Sequence, residues 1–318
     1  MKPLPSIVFM GTPDFAVPSL LALHDSGFPV KLVVTQPDRA KGRGRRLAPP
    51  PVKSEALALN LTVEQPDNIR RPDVVARLDA LAPDFLVVVA FGQILPVSIL
   101  SIPKRGAVNV HASLLPKYRG PAPIQWALIR GEDETGITTM LMDHGVDTGD
   151  ILLQVTTPIG ACDTAESLHH RLAHMGARLL VETLEKLWQG SLYPTMQQHS
   201  QATYAPMLKK QDGLIDWQKS ARQLDAFVRA MTPWPGAFCF WGQRRLRIWK
   251  TEPIQKACDV APGTVVPGFA DELRVASSDG LLSVVEIQGD SGKRMPIRDY
   301  LRGNPIPAGT VLSTTEAH

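Results

Sequence analysis

Asn109 and His111 are the pair best suited to chemistry in this chain; they stand in Val108-Asn109-Val110-His111-Ala112-Ser113-Leu114-Leu115-Pro116-Lys117-Tyr118-Arg119-Gly120. Ala107–His111 reads as a β-strand, and alternate residues of a strand share a face, so both side chains project the same way. The amide can donate two hydrogen bonds to an oxygen that gains charge, and the imidazole can donate or shuttle a proton. The plainer reading is a hydrogen-bonded structural histidine beside a turn-forming asparagine. A carboxylate that would hold the imidazole has an evident source in Met142-Asp143-His144-Gly145-Val146-Asp147-Thr148-Gly149-Asp150, a loop between apolar strands. Spacing leaves open which of its three aspartates serves, and an ordinary Asx-rich turn accounts for the composition equally well.

A second feature is electrostatic. Thr35-Gln36-Pro37-Asp38-Arg39-Ala40-Lys41-Gly42-Arg43-Gly44-Arg45-Arg46 carries five cations in the eight residues from Arg39 to Arg46. Like charges repel, so such clustering calls for an anionic partner, and a flexible loop of this kind suits phosphates. It lacks the GxxxxGK[ST] pattern of a nucleotide-phosphate loop, and Gly11-Thr12-Pro13 lacks the GxGxxG of a dinucleotide site. Farther on, Arg244, Arg245, Arg247 and Lys250 flank Trp249 as a weaker basic face. Trp234, in Thr232-Pro233-Trp234-Pro235-Gly236, reads as a packed anchor.

These residues need elements to hold them. Strands at Ser6–Met10, Val30–Thr35, Phe85–Phe91 and Ala107–His111 alternate with helices at Phe15–Ser26, Val52–Leu59, Pro72–Ala82 and Ile124–Arg130. That alternation implies βαβ units and a doubly wound, mostly parallel sheet. Ligands of such sheets bind at the carboxyl ends of the strands, where Asn109 and His111 fall. A long helix is expected over Ala165–Gln189, with Leu168, Leu172, Leu179, Leu184 and Leu187 as its apolar stripe. The stretch 190–206 is polar and weakly periodic and reads as a linker between a catalytic domain at 1–189 and a second domain at 207–318. In the latter, a helix near Ser220–Met231 precedes short strands at Ala237–Trp241, Leu246–Trp249, Gly263–Pro267, Leu273–Ala276 and Leu281–Ile287. Turn residues between them suggest a small OB-like β-barrel.

Composition sets the outer bounds. The 318 residues are 44% hydrophobic and 20% charged, which suits two packed domains and excludes a mostly disordered chain. The longest clean apolar run, Phe85–Phe91, is far short of the roughly 20 residues of a membrane span. The start is too short in apolar residues for a secretory signal, so a cytoplasmic address is expected. Three widely spaced cysteines without a CxxC pair argue against a disulfide framework and a structural zinc site.

Taken together, the motifs resemble those of the methionyl-tRNA formyltransferases along nearly the whole chain. They are GTPDFA at 11–16, TQPDRAKGRGRR at 35–46, NVHASLLPKYRGPAPIQWA at 109–127, DHGVDTGDIL at 143–152, IDW at 215–217 and PWPGAF at 233–238. The resemblance implies a Rossmann-like formyltransferase domain with Asn109, His111 and Asp147 at the catalytic positions. It implies a folate-binding segment at Ser113, Leu114, Leu115 and Pro116, and contact of the loop around Arg43 with the tRNA acceptor arm. On that basis Arg39, Lys41, Arg43, Arg45 and Arg46 are expected to bind tRNA, together with the barrel domain. The linker departs from the family pattern at Met207, where lysine is frequent, and Lys209 and Lys210 are the nearby replacements.

The implied reaction moves the formyl group of 10-formyltetrahydrofolate to the α-amine of methionine on initiator methionyl-tRNA, without a metal, in a monomer. Asn109 and His111 would donate hydrogen bonds to the developing oxyanion, and Asp147 would orient His111 and help relay the amine's proton. An amino-sugar formyltransferase or formyl-folate hydrolase would share the Asn–His–Asp set but needs neither the basic loop nor the second domain. A noncatalytic nucleic-acid-binding module would leave that set unexplained.

Overall fold

The computed structural model describes residues 3–41, 46–256, 258–268, 271–290 and 292–314. Its chain falls into two compact units, the first made of 1–123, 134–157 and 169–205, the second of 124–133, 158–168 and 206–318.

In the first unit the strands are β1 (Ile7–Gly11), β2 (Val30–Val34), β3 (Arg39–Lys41), β4 (Arg46–Ala48), β5 (Val63–Glu64), β6 (Phe85–Val89), β7 (Ala107–His111), β8 (Glu134–Leu141) and β9 (Ile151–Pro158). Seven of them form one sheet in the order β5-β2-β1-β6-β7-β8-β9. The pairings from β5 through β7 are parallel, and β8 runs antiparallel to β7. The mostly parallel, doubly wound sheet expected from the sequence is therefore present. Its helices are α1 (Val17–Asp25), α2 (Pro51–Ala58), α3 (Pro72–Ala80) and α4 (Val97–Leu100).

β1, β6 and β7 are buried at every position, as strands covered on both faces must be. On one face Val8, Met10, Leu86 and Val88 pack with Val74 and Leu78 of α3 and Ile99 of α4. This rigid, apolar centre delivers the polar residues Asn109 and His111 to its carboxyl edge.

Two departures lie in the first unit. The Arg-rich segment is a hairpin, β3 pairing antiparallel with β4 at Arg39↔Ala48, Ala40↔Leu47 and Lys41↔Arg46, where the sequence reads as a loop. Glycine and arginine conceal strand pairing because neither has a strong strand preference. The polar stretch after the long helix α6 (Ala165–Gln189), after α5 (Pro123–Arg130) in chain order, is also fastened to the first unit. Thr195 bridges Ile151, and Tyr204 bridges Arg119.

The second unit carries α7 (Ala221–Met231), β10 (Ala237–Trp241), β11 (Arg244–Ile254), β12 (Val265–Val266), β13 (Leu273–Ala276), β14 (Leu281–Gln288), β15 (Met295–Pro296) and α8 (Ile297–Gly303). Ser220 caps α7, its hydroxyl accepting from the Gln223 amide while the Gln223 side chain accepts from the Ser220 amide. The strands form an antiparallel sheet, β10-β11-β14-β13-β12, with β15 beside β14. Ser313 exchanges hydrogen bonds with Phe240 of β10, while Leu312 and Gly309 bond the Gly263–Val265 stretch leading into β12. The chain's last described residues thus join the two edges of a small β domain of the expected kind. β11 is longer than the sequence suggests because irregular register between Ile248 and Thr251 lets it bend and continue. Trp234 is half exposed and is not the packed anchor its setting suggests.

All three cysteines are free; burial pushes the Cys239 thiol up to about 12, so it stays protonated. Among the described residues, no helix is long and apolar enough to cross a membrane.

Candidate active site

Asn109 and His111 lie at the end of β7, both more than nine-tenths buried. The Asn109 side chain makes no hydrogen bond to any described residue, so its amide keeps both donors available in the small part of the residue left open. His111 is held from two sides. Its Nε2 lies 2.9 Å from the Tyr118 carbonyl, and a carbonyl can only accept, so Nε2 carries the proton. Its Nδ1 faces Asp147 Oδ2 at 3.6 Å.

Among the three loop aspartates, geometry separates the parts. Asp143 Oδ1 accepts from the Gly145 amide and the Thr148 hydroxyl, which shapes the turn. Asp147 carries the carboxylate that faces His111, and its Oδ2 also accepts from the Gly120 amide at 2.8 Å. Gly149 lets the loop close onto the sheet, since a Cβ there would sit 1.8 Å from the Leu141 carbonyl oxygen.

Tyr118 and Asp147, the two residues that grip the imidazole, both have left-handed backbones, with φ of 60° and 52°. For residues with a Cβ that conformation costs on the order of 1 kcal/mol or more and persists where neighbours enforce it. The neighbours here come from the segment 195–205. The Tyr118 amide donates to Thr203 Oγ1 at 2.8 Å, and Gln197 Nε2 donates to the carbonyls of Asp147 (2.9 Å) and Gly149 (2.6 Å). Gln197 is held in turn by Arg119, whose Nε and Nη2 both donate to its Oε1 at 3.2 and 2.6 Å. Arg119 Nη2 also donates to His199 Nδ1 at 3.0 Å. Gly120 admits this segment, because a Cβ there would meet the Ala205 carbonyl oxygen at 2.9 Å. Arg119 stands in the sequence segment already singled out, but Gln197 and Thr203 escape sequence reasoning, since no periodicity or motif marks them.

The Ser113–Pro116 segment is a tight turn tied to the sheet. The Thr138 hydroxyl donates to the Ser113 carbonyl and accepts from the Leu115 amide, while Gln154 donates to the Leu115 carbonyl. The Ser113 hydroxyl is spent on the Lys117 carbonyl at 2.6 Å, leaving half-buried Leu114 and Pro116 as the side chains open to a ligand. Elsewhere along the strand ends, Thr12 Oγ1 donates to the Phe91 carbonyl, and Gln36 Nε2 is buried without a partner.

In the basic segment, Lys53 donates to both carboxylate oxygens of Asp38 at 2.8 Å and Gln65 to one at 2.7 Å. These hydrogen bonds, Lys53's first, hold the Asp38 carboxyl below its ordinary range. Arg39 is exposed, and its Nη2 donates to Gln36 Oε1. Arg43 and Arg45 lie outside the described residues, and for Lys41 and Arg46 only the backbone pairing is described. In the second unit Lys209 and Lys210 are exposed. The Arg244 and Arg247 guanidinium groups lie 5.4 and 5.6 Å from the ring centres of Trp241 and Trp249. Among the described residues, no group of three or more His, Cys, Asp or Glu is placed to hold a metal ion.

Fold and site define the class. Residues 5–184 match the family model "Formyl transferase", and residues 207–305 match "Formyl transferase, C-terminal domain". The chain is 51% identical over 307 residues to the methionyl-tRNA formyltransferase of Pelobacter propionicus, covering 96% of each. It is 48% identical over 311 residues to that of Citrifermentans bemidjiense, covering 98% of this chain and 97% of the relative. This chain belongs to the methionyl-tRNA formyltransferase family. More distant solved structures share the fold. A sugar 3N-formyl transferase, WlaRD, aligns with a TM-score of 0.66 at 19% identity, over 92% of this chain and all of its own. HypX from Aquifex aeolicus, solved with tetrahydrofolic acid, gives 0.62 at 16% identity over 94% of this chain and 47% of its own.

Proposed function

We propose that the protein transfers the formyl group of 10-formyltetrahydrofolate to the α-amine of methionine on initiator methionyl-tRNA, with Asn109, His111 and Asp147 carrying the step. The observation that bears most weight is the unpartnered side-chain amide of Asn109 at the end of β7, beside the His111–Asp147 pair, in a chain about half identical to named members along its length. The folate supplies a formyl carbon bonded to a nitrogen that can leave. The α-amine attacks it in its neutral form, which an α-amino pKa of about 7.7–8.0 makes accessible near pH 7.

As that bond forms, charge grows on the formyl oxygen, and Asn109 Nδ2–H donates to it. The interaction is stronger in the transition state than in the ground state, which is what accelerates the step. The Tyr118 carbonyl holds the proton of His111 on Nε2, so Nδ1 is the ring atom that takes up a proton. Asp147, 3.6 Å away, stabilises the ring once it is charged and directs the amine's proton toward it, with a water completing the relay. The proton then goes to the departing folate nitrogen, which balances the transfer. This refines the sequence expectation, in which His111 itself donates to the oxyanion.

Leu114 and Pro116, on the turn that starts at Ser113, would line the folate site with buried Leu115 behind them. Arg39, Lys41, Arg43, Arg45 and Arg46 would meet the acceptor arm, with Lys209 and Lys210 contributing from the second unit. The domain assignment is catalytic at 1–189, connecting at 190–206 and tRNA-binding at 207–318, in a cytoplasmic monomer that needs no metal.

The test is a formyl-transfer assay with 10-formyltetrahydrofolate on initiator methionyl-tRNA, elongator methionyl-tRNA and amino-sugar nucleotides at stated salt. Preferential formylation of initiator methionyl-tRNA is expected; transfer only to amino sugars would overturn the reading.

A further inference from the structure

We propose that Gln197 is a positioning residue of the formyl-transfer site, fixing the backbone of Asp147 and Gly149 and so the carboxylate that faces His111. The inference rests on the reading of that site given above.

The amide of Gln197 is used completely. Its Oε1 takes two hydrogen bonds from Arg119, and its Nε2 gives one each to the Asp147 and Gly149 carbonyls. Both Gln197 and Arg119 are at least 95% buried. Arg119 has no carboxylate within ion-pair reach among the described residues, so a buried cation is spent on orienting a neutral amide and a neutral ring nitrogen. A carboxylate at position 197 would pair with the cation directly. A glutamate there, however, has no N–H for the two loop carbonyls. Glutamine is the residue that satisfies both sides at once.

The target of these bonds is also unusual. Asp147 holds a left-handed backbone without being glycine, so its side-chain direction depends on what grips its carbonyl. The gap of 3.6 Å from Oδ2 to Nδ1 is longer than a good hydrogen bond, so small rotations of Asp147 decide whether the pair engages.

Gln197→Glu separates positioning from stability. It keeps the acceptor for Arg119 and converts that contact into a charge-assisted one, which offsets part of the cost of the lost donors, so the variant should stay folded at the assay temperature. It loses both donors and sets a carboxylate against two carbonyls. Turnover is expected to fall roughly 10- to 100-fold, the scale on which a misplacement of about 1 Å acts. KM for methionyl-tRNA and for 10-formyltetrahydrofolate should stay within about twofold, and the limb of the kcat–pH profile that reports the His111–Asp147 pair should shift. Arg119→Lys, which keeps the charge but not the fork that clamps Gln197, should show the same kcat loss and the same shifted limb.

Normal turnover and an unmoved pH profile in both variants would overturn the proposal. So would losses of activity that track unfolding in both, which would make the network structural only. Asp147→Asn, assayed in parallel, separates the two levels. If it turns over normally, the site assignment itself is wrong; if it is inactive while the position-197 and position-119 variants are normal, only the positioning role fails.

Discussion

The end of β7 and the segment 195–205 act on the same imidazole by opposite means. β7 is buried at all five positions and paired on both sides, so Asn109 and His111 inherit the rigidity of the sheet centre. The 195–205 segment is mostly exposed and has little regular structure; Gln197 Nε2 donates to the Asp147 and Gly149 carbonyls, and Thr203 Oγ1 accepts from the Tyr118 amide. The candidate reacting groups sit on a fully buried, doubly paired strand. The backbones of Tyr118 and Asp147 beside them are held from a mostly exposed segment, the kind of chain that opens most readily.

Three substitutions probe that contrast, and a fourth lies outside it. Asn109→Ala deletes the unpartnered amide donors at the end of β7 and should lower single-turnover formyl transfer on the order of 10²–10³-fold. The melting temperature should barely move, because that amide bonds to nothing in the resting protein. Retention of most of the rate would remove Asn109 from the chemistry.

Gly149→Ala forces the Asp147 loop off the sheet, given the 1.8 Å approach of its Cβ to the Leu141 carbonyl. A loss near 10²-fold in kcat is expected from the displaced carboxylate, with KM little altered. An active variant would mean that the position of Asp147 tolerates movement.

Thr203→Val removes the acceptor that holds the Tyr118 amide. It should cost about 1 kcal/mol in urea unfolding and a few-fold in kcat. If stability falls and kcat does not, the segment fastens the fold but leaves the imidazole alone.

The smallest effect belongs to Asp38, away from the imidazole. Hydrogen bonds from Lys53 and then Gln65 lower its carboxyl below the ordinary value of 3.8. Its contribution to stability is therefore complete above that value and is lost as pH falls through the lowered one. The urea midpoint of the wild type should exceed that of Asp38→Asn at pH 6, and the difference should shrink steadily as pH is lowered below 3.8. Midpoints that run parallel across this pH range would show that the pairing contributes nothing.

Legibility in the sequence followed the same division. Asn109 and His111 could be placed because strand alternation and the strand's end are both local properties, and the apolar runs around them fixed the sheet. The aspartate could not be chosen from spacing, since Asp143 and Asp147 differ only in where the turn aims them. It took the Asx turn at Asp143 and the left-handed backbone at Asp147 to separate them. Gln197 was invisible for a different reason. Its partners at Arg119, Asp147 and Gly149 lie 48 to 78 positions away, and a polar segment carries no hydrophobic period to report such contacts. The β3–β4 hairpin was hidden by composition and the far end of β11 by a break in register.

The place of residues 195–205 in the chain has a consequence for biosynthesis. A ribosome delivers Asn109, His111 and Asp147 well before it delivers Gln197 and Thr203, and domains form from the N-terminal side as they emerge. A nascent chain paused just after α6 would carry Asn109, His111 and Asp147 with the backbones of Tyr118 and Asp147 not yet held from 195–205. Completion of the candidate site waits for 195–205, the last part of the first unit to be made, so order of synthesis itself keeps the site unfinished until that unit's final residues arrive.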